Sequence, residues 1–382
     1  MYMAAVIGAG PIGSVCAKKI QENGWNTVLL EEHPKSGIPV NCTGIISSSG
    51  VKERGILKQT EEATLNKVKG AQIFSPHHEM IEVKRNNTVA HIIDRAKFDQ
   101  ILAQEAVDAG VEFRTNTKMI DIRNETIFFE YQGGRGGLLK SKIIIGADGV
   151  NSRTRKIAGI ETGIENYVHA YQVVAKGEFN PDYVQVFFGD NSKDFFAWIV
   201  PESETRARVG LASTSGNVRK DFNFFIQEKN INGALCERCS SLIPIGRPFR
   251  KTVFDNLMLI GDSAFQTKAT TGGGILSGIH CAELAAETIH EHYKDKAPLE
   301  NYEKKCSEIN KELELHWKLR KYMNSLNEEK MDKLFQKMNK SKMSEFLNEH
   351  GDMDKPSKFI GKIMLKPAMW RMFPDALKFL RA

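Results

Sequence analysis

An α/β fold, α+β over the whole chain, is predicted by three features of the sequence. The N-terminus reads strand, glycine turn, helix, strand: AAVIG, then PIGSVCAKKIQENG with helical periodicity, then NTVLLE ending in acid. Residues 165–215 read as all-β, with YVQVFFG, FFAWIVP and ARVGLA each bounded by turn residues. The last ninety or so residues are lysine-rich and mostly helical in pattern. Together these give a Rossmann-like nucleotide-binding domain assembled from 1–160 and 250–295. An antiparallel β-sheet substrate domain is inserted at 161–249, and a helical C-terminal region runs over 296–382.

The elements between follow the same rules. A loop carrying Gly37, Pro39 and Gly44 succeeds the second strand, and residues 70–93 alternate like strands. Asp94 is placed to cap a helix, RAKFDQILAQEAVDAG, whose apolar stripe is Phe98, Ile101, Leu102 and Val107. Strands around the glycine-rich hairpin GGRGG fill 111–146, ending in the buried-type run KIIIGADG. After 215 comes a glycine-poor helical region, then the strand NLMLIGD near 256–262 and a helix from Gly274 to about Tyr293.

The chain has 382 residues, 41% hydrophobic and 26% charged, an ordinary globular balance with room for a sizeable core. No apolar run reaches the roughly 18 residues of a membrane-spanning helix. The N-terminus lacks the basic region of a signal peptide, so a cytoplasmic location is expected. Of six cysteines, Cys236 and Cys239 form a lone C-x-x-C without the further ligands zinc requires, so free thiols or a local redox pair are expected and no metal. The net charge of +6 sits wholly in 355–382, where seven Lys/Arg face one acid, Asp375. Charge confined to one end without a reader motif argues against nucleic acid. Interleaved with Phe359, Trp370, Phe373 and Phe379, it has the composition of a peripheral membrane contact at an inner leaflet. A helical tail with its lysines in water would look the same.

The glycine turn carries the first chemistry. Gly8-x-Gly10-x-x-Gly13 follows a strand and opens a helix, and an acid, Glu31, lies 18 positions after Gly13. Gly8 permits the tight turn, Gly10 lets backbone approach a pyrophosphate, and Gly13 allows close helix–strand packing. The helix N-terminus offers free N–H groups to phosphate, and Glu31 can accept from ribose hydroxyls; Glu32 is the less apt contact on spacing. Two further strands end in Gly146-Ala147-Asp148-Gly149 and Gly261-Asp262-Ser263-Ala264. Either Asp alone could simply cap a helix after its strand. Gly272-Gly273-Gly274 then opens a helix, and small residues there let backbone amides reach a ring's edge.

These three motifs in this order resemble the p-hydroxybenzoate-hydroxylase-like flavoproteins. That resemblance implies FAD, with Asp148 near the pyrophosphate and Asp262 at the ribityl chain. GIPVNCTGIIS (37–47), IIDRAKFD (92–99) and GDSAFQTKATTGGGI (261–275) further resemble the geranylgeranyl reductase family, in its archaeal branch acting on digeranylgeranylglycerophospholipids, over roughly residues 1–300. The resemblance implies that Cys42 is an active-site cysteine by the flavin and that Arg95 lies toward the FAD phosphate or adenine. Gly273 and Gly274 would face the flavin ring. The family's P-x-x-Y-x-W-x-F-P motif aligns with 193–201: Trp198 and Pro201 match, while Lys193, Phe196 and Val200 depart, and Ala269 stands where the family often has proline.

The activity so implied is reduction of isolated C=C bonds in an isoprenoid lipid by reduced FAD, with Phe196 and Trp198 stabilising partial cationic character. Period-2 spacing also suits plain core packing for this pair. An external electron donor is required, and because no separate nicotinamide fingerprint is present, NADPH, a ferredoxin-like carrier and other donors all stay open. The alternatives are an FAD-dependent monooxygenase or halogenase acting on an aromatic small molecule, and a flavin-binding accessory protein without turnover.

Overall fold

The computed structural model describes residues 1–364. Its centre is a sheet in which Leu257–Leu259, Gly136–Gly146, Tyr2–Ile7, Thr27–Leu30 and Glu112–Arg114 run parallel in that order. Val253–Phe254 adds an antiparallel edge, and the hairpin Thr117–Arg123/Thr126–Tyr131 pairs with the first half of Gly136–Gly146. Ala4, Ala5 and Val6 are fully buried because both faces of this sheet are covered, as a parallel sheet demands. Helices Pro11–Glu22, Arg95–Asp108 and Ile275–Asp295 cover one face; Met119, Ile127 and Phe129 of the hairpin cover the other. Asp94 caps its helix, accepting from Lys97 N–H at 3.0 Å. Phe98 and Leu102 of the stripe are buried, but Val107, nine residues after Phe98, falls half a turn round on the opposite face and is exposed.

A second, seven-stranded sheet has the order Leu235–Pro244, Tyr167–Lys176, Arg206–Ser213, Ala197–Ser203, Tyr183–Phe187, Gly70–Phe74, Met80–Lys84. Two points differ from the sequence reading. The segment 70–84, assigned there to the nucleotide-binding unit, joins this sheet through parallel pairing of Gly70–Phe74 with Tyr183–Phe187. Alternation marks a strand but not its partner, which here lies more than a hundred residues on. LCERCSSLIP, read as part of a helical stretch, is an edge strand. Its mixed polar sequence fits because an edge strand is only half covered. Cys236 and Cys239 lie on it as free thiols, opposite Val174 and Gln172.

Strand alternation splits the sheet into two faces. Ala197, Ile199 and Val209 pack under Phe222 and Phe225 of helix Val218–Glu228. Trp198 and Val200 face the other way, joining Phe195, Ile245 and Ala269 of the nucleotide-binding unit's loop. The C-terminal helices Ser307–Asn324, Glu328–Lys340 and Met343–His350 close that second side. Met331 and Phe335 pack on Ile81, and Asp332 accepts from the Ser75 hydroxyl and from His77. Helix Pro356–Met364 lies at the start of the basic segment. Lys355 pairs with Glu53 at 2.7 Å. The rest of the membrane-contact reading, 365–382, lies outside the described residues. Among the described residues no helix is long and apolar enough to cross a membrane.

Trp198 fits only because Gly210 faces it: a Cβ there would stand 2.6 Å from the indole ring. The indole is 6% exposed and its N–H is tied to Gln172 Oε1 at 3.0 Å, so it cannot swing away. Gly210→Ala is expected to destabilise by about 1–3 kcal/mol through overpacking, read as a lower urea midpoint. An unchanged midpoint would show that the ring has room to move.

Candidate flavin site

Two helix N-termini converge at the C-terminal edge of the parallel sheet. Pro11–Glu22 and Ile275–Asp295 both start at a glycine, Gly10 and Gly274, with no side-chain cap. Their free N–H groups are anion donors. Ile12 fits between them: a Cβ at Gly278 would stand 2.3 Å from Ile12 Cδ1, and one at Gly261 2.8 Å. Around Gly10 a Cβ would meet nothing within 4 Å, leaving open space against backbone. Gly8 and Gly13 are the opposite case. Gly8 has φ +98°, and a Cβ on Gly13 would stand 1.9 Å from Gly8 O. Tight packing at the outer glycines and an open middle one is the cradle a pyrophosphate needs.

Glu31 lies beneath this turn. Its Oε2 accepts from Ala9 N–H at 2.9 Å and its Oε1 from His33 N–H at 3.0 Å, while exposed Glu32 turns outward to Lys118. Asp262 keeps one oxygen unpartnered: Oδ1 takes the Thr267 hydroxyl at 2.8 Å, and Oδ2 has no hydrogen bond among the described residues. Burial pushes this carboxyl up, opposed by the Thr267 hydroxyl and the charges of Arg95 and Arg155. An acceptor beside two helix N-termini suits a polyhydroxyl chain joined to phosphates, so these residues fit FAD.

Asp148 behaves differently. Its carboxylate is saturated by Ser152 Oγ and Thr154 Oγ1, each at 2.6 Å, and by the N–H groups of Arg153 and Thr154. It therefore acts as a clamp on the turn into helix Arg153–Ile157, and any nucleotide contact falls to its backbone. That clamp seats Arg155, which the sequence reading missed. Arg155 is 3% exposed, donates to Val150 O, Ser263 O and Tyr167 Oη, lies over the Phe265 ring, and keeps an unpartnered Nε. It is a buried cation between the two Asp motifs. The recurring polar spacing after Asp148 (Ser152, Thr154, Arg155) was the available signal.

Arg95 holds Asp99 through two hydrogen bonds of 3.0 and 2.9 Å. Burial opposes its charge, but Asp99 and the Cys42 thiol beside it outweigh that and hold it above its ordinary range. Cys42 Sγ accepts from Gly44 N–H at 3.3 Å. Its loop is pinned to the second sheet: Thr43 Oγ1 donates to Gln172 Oε1 at 2.7 Å, and Arg208, paired with Glu202, donates to Thr43 O at 2.6 Å. Gln172 Oε1 is also the acceptor for Trp198, so the Cys42 loop and Trp198 share one anchor.

Trp198 itself is enclosed, whereas Phe196 is only half-buried. Phe196 stacks on Phe195 with centroids 4.2 Å apart and meets Phe188 and Trp198 edge-on. Of the two rings, only Phe196 keeps part of its surface accessible, and Trp198 packs against its edge. Phe195, not singled out from the sequence, touches the glycine loop: a Cβ on Gly272 would stand 3.4 Å from its Cζ. Arg320, also missed, lies over Phe195 and Phe196 at 4.5 and 5.7 Å and donates to the carbonyls of Ala269, Thr270 and Asp194. It forms no ion pair among the described residues, and burial lowers its pKa to about 9. Beside it, phenylalanines 188 and 195 with Met323, Leu326 and Met331 line a cavity of about 670 Å³.

The fold and this site define an FAD-dependent oxidoreductase. A family model described as FAD binding domain matches residues 1–315. Over 312 residues the chain is 31% identical to the digeranylgeranylglycerophospholipid reductase of Methanosarcina acetivorans, covering 76% of this chain and 75% of that one. A crystal structure of a geranylgeranyl bacteriochlorophyll reductase-like protein from Thermoplasma acidophilum superposes with a TM-score of 0.87 at 23% identity, over 100% and 98% of the two chains. The flavin-dependent brominase Bmp2 shares the fold at a TM-score of 0.68 and 16% identity, over 95% and 98%. The chain belongs to the FAD-binding-domain family, in its geranylgeranyl-reductase-like group.

Two outcomes follow from this geometry. Gly13→Ala and Asp262→Ala should each yield protein with less FAD per chain, measured from the absorbance of flavin released on denaturation; full occupancy in both would overturn the site. The second concerns His316, 3% exposed in the glycine-loop wall. Its Nε2 donates to Asp354 O at 3.3 Å and its Nδ1 accepts from the Thr270 hydroxyl. Burial, then Lys268, lowers its pKa from 6.5 to about 4. The unfolded chain thus binds this proton more readily. His316's contribution to stability is full above pH 6.5 and falls away as pH drops toward 4, by up to about 3 kcal/mol. Urea unfolding of wild type and His316→Gln across that range should show the smaller pH slope in the variant.

Proposed function

We propose that the protein hydrogenates C=C bonds of geranylgeranyl chains, in archaeal-type membrane phospholipid precursors. The observation that carries this is the stacked Phe195–Phe196 pair set against the glycine loop at Gly272. An isolated alkene has no carbonyl to polarise it, so positive charge develops on one carbon as hydride reaches the other. An open aromatic face stabilises such charge and keeps water away. Reduced FAD, when bound, supplies the hydride. Phe196 offers the face, and Phe195 and Trp198 hold it. Cys42 would deliver the proton to the second carbon, with water restoring its thiol; its loop is anchored to the same Gln172 as Trp198, which supports this reading.

An external donor, NADPH or a ferredoxin-like carrier, would supply the two electrons for each turnover. The peripheral contact read from the basic, aromatic segment 355–382 belongs to the same proposal, since a polyprenyl lipid has to leave a bilayer to reach the site.

The test is mass spectrometry of a geranylgeranyl lipid incubated with dithionite-reduced enzyme. Each reduced bond adds two hydrogens. Cys42→Ala should retain FAD and lose about 10²-fold or more in rate if the thiol is the acid. An unchanged lipid mass, with rapid oxygen uptake stimulated by an aromatic compound, would replace this reading with a monooxygenase or halogenase.

A further inference from the structure

The glycine loop contains a buried cation that the site described above does not use. Lys268 is 8% exposed, and its ammonium pairs with the carboxylate of Asp354, 86 residues away. Its backbone closes the loop on itself: Lys268 N–H donates to Gly273 O at 3.0 Å, and Lys268 O accepts from Gly272 N–H at 2.8 Å. The side chain consequently lies along Gly273. A Cβ on Gly273 would stand 2.9 Å from Lys268 Cε and 3.2 Å from Nζ. A Cβ on the next residue, Gly274, would stand 2.8 Å from Asp262 Oδ1. Ammonium, glycine pair and Asp262 therefore share one corner at the uncapped start of helix Ile275–Asp295.

Asp354 is itself fixed. The Ser47 hydroxyl donates to its Oδ2, its carbonyl accepts from His316, and its own N–H donates to Asp352 Oδ1 at 2.9 Å. Burial would push its carboxyl up, but Lys268 and Ser47 outweigh that and hold it below the usual range. The carboxylate is therefore held in its ionised form, a counterion brought in by the C-terminal region to face Lys268 of the glycine loop.

We propose that Lys268, balanced by Asp354, sets the reduction potential of the bound FAD from the glycine-loop side. This rests on reading Gly273 and Gly274 as the loop that meets the flavin ring. On reduction, bound FAD takes two electrons from the external donor and one proton from water, so the site gains one negative charge. A buried ammonium at that corner favours the more negative form, and little solvent or salt intervenes to screen it. Asp354 offsets part of that field. Lys268 is thus a positioning charge that acts on the cofactor's electronics without taking part in bond making.

The experiment is an anaerobic dithionite titration of the FAD-loaded full chain against a reference dye, for wild type, Lys268→Met, Lys268→Arg and Asp354→Asn. Lys268→Met should move the reduced-to-oxidised equilibrium about tenfold toward oxidised flavin, roughly 30 mV for a two-electron couple. Asp354→Asn should move it the other way, and Lys268→Arg should stay near wild type. Opposite signs carry the proposal, because general loosening of the loop would move both variants together. No shift in either, or shifts of one sign in both, overturns it. FAD content of Gly274→Val tests the loop reading separately. Lost flavin supports the loop and leaves the potentials to decide on Lys268, whereas full flavin content removes the basis of the proposal.

Discussion

Two helix N-termini can face one ligand only if the helices pack closely at their starts, and that constraint shapes the nucleotide-binding unit. Ile12 wedges the start of Pro11–Glu22 against Gly261 and Gly278, where any side chain would collide with it. The close fit holds both sets of unpaired N–H groups at one edge of the sheet, with Asp262 between them. Such convergence concentrates partial positive charge where no side-chain cation is needed. It also explains why Asp148 and Asp262, alike in sequence, differ in use. The first is saturated by its own turn, and the second keeps an oxygen without a partner among the described residues.

The helical C-terminal region completes the site instead of merely covering it. Arg320 brings a cation to the aromatic pair and satisfies it with carbonyls of the glycine loop and of Asp194. Carbonyl acceptors leave the positive charge unneutralised, which burial would not tolerate without several of them. Asp354 arrives from the same region to pair with Lys268. Loop, aromatic wall and C-terminal helices are therefore coupled through buried polar contacts, and loosening one should be felt by the others.

The second sheet serves the site through its alternation. Ala197 and Ile199 go under helix Val218–Glu228, and Trp198 and Val200 face the glycine-loop side. Trp198 falls on the loop side but is held in the interior by Gly210 and Gln172. Its neighbour Phe196, just ahead of the strand, remains half open. A two-residue spacing could not distinguish the enclosed ring from the open one, because both lie on the same side of the chain.

The sequence by itself determined what depends on near neighbours. The glycine turn, its helix and Glu31 are legible because a strand, a tight turn and a helix need those residues at those spacings. The Asp94 cap is legible for the same reason. FAD came from the resemblance of the three ordered motifs to known flavoproteins, and the family match over residues 1–315 bears it out. Tertiary structure alone decided what depends on distant partners. The strand Gly70–Phe74 takes its sheet from Tyr183–Phe187, the edge strand Leu235–Pro244 carries no apolar alternation to announce it, and Val107 turns outward. Arg155, Phe195, Arg320 and the Lys268–Asp354 pair acquire their roles from neighbours brought together by folding. A lysine and an aspartate 86 residues apart have no pattern linking them along the chain. Their attraction acts through a few ångströms of buried space that only the packed molecule creates.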